Sequence, residues 1–189
     1  VSVDFTATAT DADTDVATST DFAVVFAGNT DGSYTLLGTG SADVIQGGAA
    51  NEGLSGLIGD DVLIGGLGND QLTGGTGDDT FVWKSGDTGS DVVTDFKHLP
   101  VGEQDVLDLS DLLAGIAGMP DLGAPASSAD IANLLNPFLS ISTGANSIIT
   151  VDTGADSQSI QLTGVDLTAY GGNELQIITN MLDDGALKV

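Results

Sequence analysis

The sequence predicts a mainly β protein: a short parallel β-roll flanked by antiparallel strands and a few short helices. Between Gly38 and Val82 the chain runs through five consecutive nine-residue units, GTGSADVIQ, GGAANEGLS, GLIGDDVLI, GGLGNDQLT and GGTGDDTFV. Each opens glycine-rich, holds its acid at the sixth position and an apolar residue at the eighth. Runs of alternating apolar and polar residues lie on either side of this array, and helical apolar spacing is confined to short stretches near the C-terminus.

The eighth positions, Ile45, Leu54, Leu63, Leu72 and Phe81, recur as the inward side chains of very short strands would. A solenoid making one coil from two units stacks alternate units. Asp43, Asp61 and Asp79 then line one side, and Glu52 and Asp70 the other. Gly47, Gly56, Gly65, Gly66, Gly68, Gly74, Gly75 and Gly77 permit positive φ and let backbone carbonyls crowd one point. Each acid adds a hard oxygen, and carboxylate with carbonyl is the donor set that suits Ca²⁺. Pairing the acids of units one and three, two and four, and three and five predicts about three internal ions by counting a repeat array. A flexible glycine linker has no reason to keep such a register.

The last two units fit G-G-x-G-x-D-x-U-x throughout, and the array resembles the calcium-binding nonapeptide repeats of RTX proteins. That resemblance implies a β-roll with ions held between stacked turns by Asp carboxylates and glycine-region carbonyls. The departures gather in the first three units. Thr39 and Leu57 replace the second-position glycine, Ser41 and Ala50 the fourth, and Glu52 the aspartate.

Composition agrees. The 189-residue chain, enough for one domain or two small ones, has 28 acidic residues against three lysines and a net charge of −25. The acids are nearly all Asp, which points to ligands rather than to solvated helix surfaces. Such charge repels nucleic acid and anionic membranes, and it opposes compaction unless cations neutralise it. Calcium is thus expected as a folding requirement. The chain has no cysteine, so metal ions take the part that disulfides play in other secreted modules. No apolar run is long enough to span a membrane, and no signal peptide is visible. Val1 is not Met and a strand-like run begins at once, so a piece of a longer protein is expected.

Residues 1–37 read as two or three antiparallel strands, with Val3, Phe5, Ala7, Phe22, Val24 and Phe26 at alternate positions. They resemble the terminal strands of Ig-like extender repeats in large bacterial adhesins, or a linker. Asp11, Asp13 and Asp15 either hold calcium at a junction or form a solvated acidic turn. The EF-hand pattern fails there, because Val16 stands for the required glycine and Phe22 for the bidentate acid.

Residues 38–96 are expected to form the roll, with Trp83 at its apolar end and a closing strand at Asp91 to Phe96. In residues 97–189, strands are predicted at Phe138 to Ser142, Ser147 to Asp152 and Gln158 to Leu162. One helix is capped by Ser128 and stops before Pro137; another is capped by Asn173 and ended by Gly185. Gly115 to Pro125 reads as a loop. The pairs "DF" at Asp95-Phe96 and "DVLDLS" at Asp105 to Ser110 resemble segments beyond the roll of type I secreted RTX proteins. The resemblance implies Asp95 and Asp105 as ligands of a further ion. The residues alone equally allow Asp95 to end a strand and Ser110 or Asp111 to cap a helix. "GVDLT" at Gly164 to Thr168 and the last thirteen residues resemble the type I secretion target region.

Catalytic readings find little. His98 is the lone histidine and reads as a solvated loop residue, and neither H-E-x-x-H nor G-x-S-x-G occurs. A glycosidase-like carboxylate pair could be drawn from so many acids, yet acids in ligand register already have an explanation. The resemblance implies a non-catalytic, calcium-dependent C-terminal module of a bacterial surface adhesin acting in cell adhesion and biofilm. It would be monomeric, secreted and extracellular, its unfolded tail engaging a type I secretion transporter. Two alternatives stand: an accessory module of a secreted protease or lipase, and a tip domain recognising a surface glycan, peptide or protein. Extender-like strands before the roll favour the adhesin.

Overall fold

A computed structural model describes residues 34–98, 102–114, 127–152, 154 and 157–189. The strands expected before residue 34, the Asp11, Asp13 and Asp15 cluster and the Gly115 to Pro125 loop lie outside the described residues.

Two sheets face each other across an apolar core. The roll strands are β1 (Thr35–Leu37), β2 (Val44–Gln46), β3 (Gly53–Ile58), β4 (Val62–Ile64), β5 (Gln71–Thr76), β6 (Thr80–Val82), β7 (Gly89–Val93) and β8 (Val106–Asp108). Odd strands pair in parallel in one sheet and even strands in the other. The register of Val44 on Val62 and Val62 on Thr80, like that of Gly53 on Gln71, advances 18 residues per coil. Two nonapeptides therefore make one turn of a parallel β-roll, as the spacing predicts.

Because eighth positions stack on eighth positions, the core is two columns of apolar side chains. One runs Leu36, Leu54, Leu72, Val93; the other runs Ile45, Leu63, Phe81, Leu107. Leu63, Leu72, Phe81, Val93 and Leu107 are fully buried. Truncating one of them to Ala would cost about 2–5 kcal/mol through lost transfer energy and a cavity. Trp83 is not a lid over the end but part of this core, at 1% exposure.

Beyond β8 come α1 (Ser110–Ala114), α2 (Ser128–Leu135), β9 (Leu139–Ser142), β10 (Ser147–Asp152), β11 (Ser157–Leu162), a 3₁₀ turn (Leu167–Tyr170), α3 (Glu174–Asp184) and β12 (Leu187–Lys188). β9, β10 and β11 are antiparallel, but β11 lies parallel to β7 and so extends the sheet of odd strands. β12 pairs parallel with β8 and extends the other. The roll and the C-terminal region thus share both sheets across the boundary drawn at residues 96 and 97, and β1, drawn with the N-terminal segment, pairs within the roll.

Helix ends follow local chemistry. Ser127, one residue before the expected cap, accepts from the Asp130 N–H through its hydroxyl and donates its own backbone N–H to the Asp130 carboxylate, a capping box. Asn173 caps α3, and Gly185 ends it at φ 89°. Ile177, Ile178 and Met181 of α3 enter the common core. Among the described residues no helix is long and apolar enough to cross a membrane.

Candidate metal centre

The sixth-position acids form a ladder along each edge of the roll. On one edge the Asp43 N–H donates to Asp61 Oδ1 at 2.8 Å, Asp61 N–H to Asp79 Oδ1 at 2.9 Å, and Asp79 N–H to Asp105 Oδ1 at 3.1 Å. On the other, Glu52 N–H donates to Asp70 Oδ1 and Asp70 N–H to Asp91 Oδ1, both at 2.8 Å. Asp61, Asp70, Asp79, Asp91 and Asp105 each use one oxygen to receive the coil before them, and in the interior acids Asp61 and Asp70 this leaves the second oxygen for something else.

That second oxygen is buried. Asp61 Oδ2, Asp70 Oδ2 and Glu52 Oε1 have no hydrogen-bond partner and no access to solvent. Burying an ionised carboxylate in this way is costly unless a positive charge meets it. Around these oxygens the backbone closes to leave room for nothing larger than a hydrogen on glycine. A Cβ on Gly56 would overlap Asp61 Oδ2 and the carbonyl oxygen of Gly74, and one on Gly47 would overlap the carbonyl oxygen of Gly65 beside Glu52 Oε2. First-position glycines and sixth-position acids therefore build oxygen-lined recesses repeated from coil to coil. Among the described residues no group of three or more His, Cys, Asp or Glu side chains gathers as a metal-binding set. Any ion held here must draw on backbone carbonyls as well as carboxylates.

The electrostatics carry the same signature. Burial, with further help from neighbouring carboxylates, pushes Asp70 up to about 7 and Asp61 and Asp105 up to about 6. Asp79, Asp87 and Asp91 are raised for the same first reason. Cations of the protein stay at the periphery: Lys97 pairs with Glu103 at 2.6 Å, and Lys188 with Asp108 at 2.6 Å. Burial raises Asp108, but the Lys188 ammonium and Ser110 outweigh it and hold its carboxyl below the usual range.

Of the expected ligands, Asp43, Glu52, Asp61, Asp70, Asp79 and Asp105 stand in the ladders. Asp95 does not; its oxygens accept the N–H groups of Gly74 at 3.0 Å and Gly75 at 2.9 Å, tying the loop after β7 to the fifth glycine turn. Asp91, read from the sequence as the start of a strand, is a rung. A second, outer ladder also went unread. Asn51 Oδ1 accepts from Asn69 N–H, Asn69 Oδ1 from Ser90 N–H, Asp60 Oδ1 from Asp78 N–H and Asp78 Oδ1 from Gln104 N–H, at 2.8–2.9 Å. These fifth-position bonds run from later coil to earlier side chain, opposite to the inner ladder, so adjacent residues fasten the coils from both directions.

His98 corrects the sequence reading. Its side chain is 6% exposed rather than solvated. Nδ1 lies 2.7 Å from the Asp105 carbonyl and Nε2 3.2 Å from that of Asp184, while Tyr170 Oη donates to the His98 carbonyl at 3.2 Å. The ring joins the last rung to the end of α3.

Fold and site together define a class: a parallel β-roll of nonapeptide units whose two edges are lined by buried carboxylates and glycine carbonyls. No family model and no curated protein sequence matches the chain. Among solved structures it is similar to the R3 subunit of the AlgE6 mannuronan C5-epimerase of Azotobacter vinelandii, at 28% identity over 69% of this chain and 70% of that one, with a TM-score of 0.46.

Proposed function

We propose that this chain is an RTX-type, non-catalytic module that folds on calcium, and that it forms the C-terminal region of a secreted bacterial surface adhesin exported by a type I system. The observation that carries the reading is the set of buried, unpartnered oxygens on Glu52, Asp61 and Asp70, with the Gly74 carbonyl beside that of Asp61 and the Gly65 carbonyl beside the Glu52 carboxylate. The donors are all hard oxygens, with no imidazole or sulfur among them, which suits calcium better than zinc.

The residues that would hold the ions are the interior acids Glu52, Asp61, Asp70 and Asp79, with carbonyls of the first-position glycines of neighbouring coils. Bound calcium would supply the positive charge that burial demands and cross-link successive coils. Sites of the extracellular type bind at roughly 10⁻⁴ to 10⁻³ M. At ten times the dissociation constant each would contribute about 1.4 kcal/mol, so a few sites rival the margin of a small domain. The same arithmetic leaves the sites empty at cytosolic calcium. The tail would then reach the transporter unfolded, leave C-terminus first and fold outside, at the cell surface.

Far-UV circular dichroism during calcium titration, with Mg²⁺ as the control, tests the reading. Folding should appear between sub-millimolar and millimolar calcium and not with magnesium. A chain fully folded in excess chelator would sink the switch.

A further inference from the structure

The last rung of each ladder differs from the interior rungs: Asp105 Oδ2 accepts the Lys97 N–H at 2.7 Å, and on the other edge the difference lies at Asp91. Its backbone place is that of a sixth-position acid: Val92 stands in register with Gln71, and Asp91 Oδ1 accepts the Asp70 N–H as Asp70 Oδ1 accepts that of Glu52. It is 1% exposed. Yet its second oxygen is occupied. The Trp83 indole N–H donates to Asp91 Oδ2 at 2.7 Å, and the Gln158 side-chain amide donates to the same oxygen at 2.8 Å. Asp70 Oδ2, one coil earlier, has no such partner.

Both donors come from outside the nonapeptides. Trp83 is the residue after the fifth unit, and Gln158 belongs to β11, the C-terminal strand that pairs with β7. The amide orientation follows from its surroundings: Gln158 Nε2 also reaches the Ser159 carbonyl at 3.2 Å, so turning the group would set its oxygen against two acceptors. A neutral indole and a neutral amide cannot cancel a charge as a cation does, but two strong donors to one buried carboxylate oxygen meet most of its need for partners.

We propose that Asp91 is a closed terminal rung, its second oxygen held by Trp83 and Gln158 in place of calcium, so that ion binding along the Glu52, Asp70 and Asp91 edge stops at Asp70. This rests on the calcium reading above. The protein has its own substitute for the ion where the roll meets the C-terminal sheet. That junction is consequently fastened by side chains whatever the calcium level, while the interior coils depend on it.

The test is a count of bound calcium per chain, by equilibrium dialysis and metal analysis at saturating calcium, with circular dichroism to verify folding. Asp70→Asn should lose one ion relative to the parent, and Asp91→Asn none. Gln158→Glu replaces the donor with a second carboxylate facing Asp91, and it should gain one ion. Loss of an ion in Asp91→Asn, or an unchanged count in Gln158→Glu, overturns the proposal. Should Asp91→Asn fail to fold, Gln158→Glu alone decides. A parent chain that binds no calcium fails the functional reading instead and is told apart by that first measurement.

Discussion

The backbone N–H of Glu52 donates to Asp70 Oδ1 at 2.8 Å inside the protein, while Asp70 Oδ2 is buried with no partner. One side chain therefore does two jobs that substitution can separate. Asp70→Asn retains an acceptor for Glu52 and removes the charge; Asp70→Ala removes both and strands a buried donor, at a further cost of about 1–3 kcal/mol. Both variants should fold only at higher calcium than the parent, the Ala variant at the higher of the two, as read by the midpoint of a circular dichroism titration. A parent-like midpoint for Asp70→Asn would remove Oδ2 from the ligand set.

Protons should compete with calcium and, in its absence, replace it. Burial raises Asp70 to about 7 and Asp61 and Asp105 to about 6, from an ordinary 3.8 in the unfolded chain. A group raised on folding stabilises the fold at low pH and ceases to do so as pH climbs through its folded value. In chelator the chain should therefore gain helix and strand signal, or melt higher, as pH falls from 8 toward 5, the gain setting in as pH drops below about 7 and still building toward the unfolded value of 3.8. With calcium present the sign reverses for binding, and the calcium midpoint should rise over the same interval. A metal-free chain that loses structure on acidification to pH 5.5 would contradict the buried-carboxylate account.

How much of this could be read from the residues depends on where the nine-residue register holds. It holds from Asp43 to Asp79, and both the coil period and the two edges followed from it. It breaks after Val82, where loops lengthen the coils: Asp70 to Asp91 spans 21 residues and Asp79 to Asp105 spans 26. Asp91 was missed for that reason, although a signal existed. Asp-Val followed by Ile, Leu or Val occurs at Asp43, Asp61, Asp91 and Asp105, each time at the start of a roll strand or within one. The outer ladder was also written plainly, as Asn51, Asp60, Asn69 and Asp78 at successive fifth positions. It went unseen because an Asn beside an Asp reads as solvated turn chemistry until a coil is stacked on it. The sharing of sheets between roll and C-terminal region was illegible, since strand pairing between residues as far apart as Val93 and Leu162 leaves no local mark.

Leu57 is the non-glycine residue with positive φ among the described residues, at 81°, in a second position where Gly66 and Gly75 adopt 95° and 113°. Holding an L-residue there costs roughly 1–2 kcal/mol, partly offset against glycine's greater freedom in the unfolded chain. Leu57→Gly should raise the melting temperature at fixed calcium by about 2–4 °C, the shift expected for ~1 kcal/mol in a chain of this size. Gly75→Ala should lower it by more, because the added Cβ would also overlap the Leu57 carbonyl. Differential scanning calorimetry would measure both; a Leu57→Gly variant that melts lower would mean that the exposed leucine contributes more than its strained backbone costs.

His98→Ala separates a latch from a solvated loop residue. The imidazole spans the Asp105 and Asp184 carbonyls, and these belong to the last rung of one ladder and the final residue of α3. Removing it leaves a partly buried carbonyl without its donor and frees the end of α3 from the roll, a loss of about 1–3 kcal/mol. The melting temperature at saturating calcium should fall by about 2–10 °C on that basis. Amide hydrogen exchange should rise first in α3 and β12, because β12 is held by only two residues in register with β8. If the ring were merely solvated, as its loop setting in the sequence suggests, neither the melting temperature nor exchange in α3 would move.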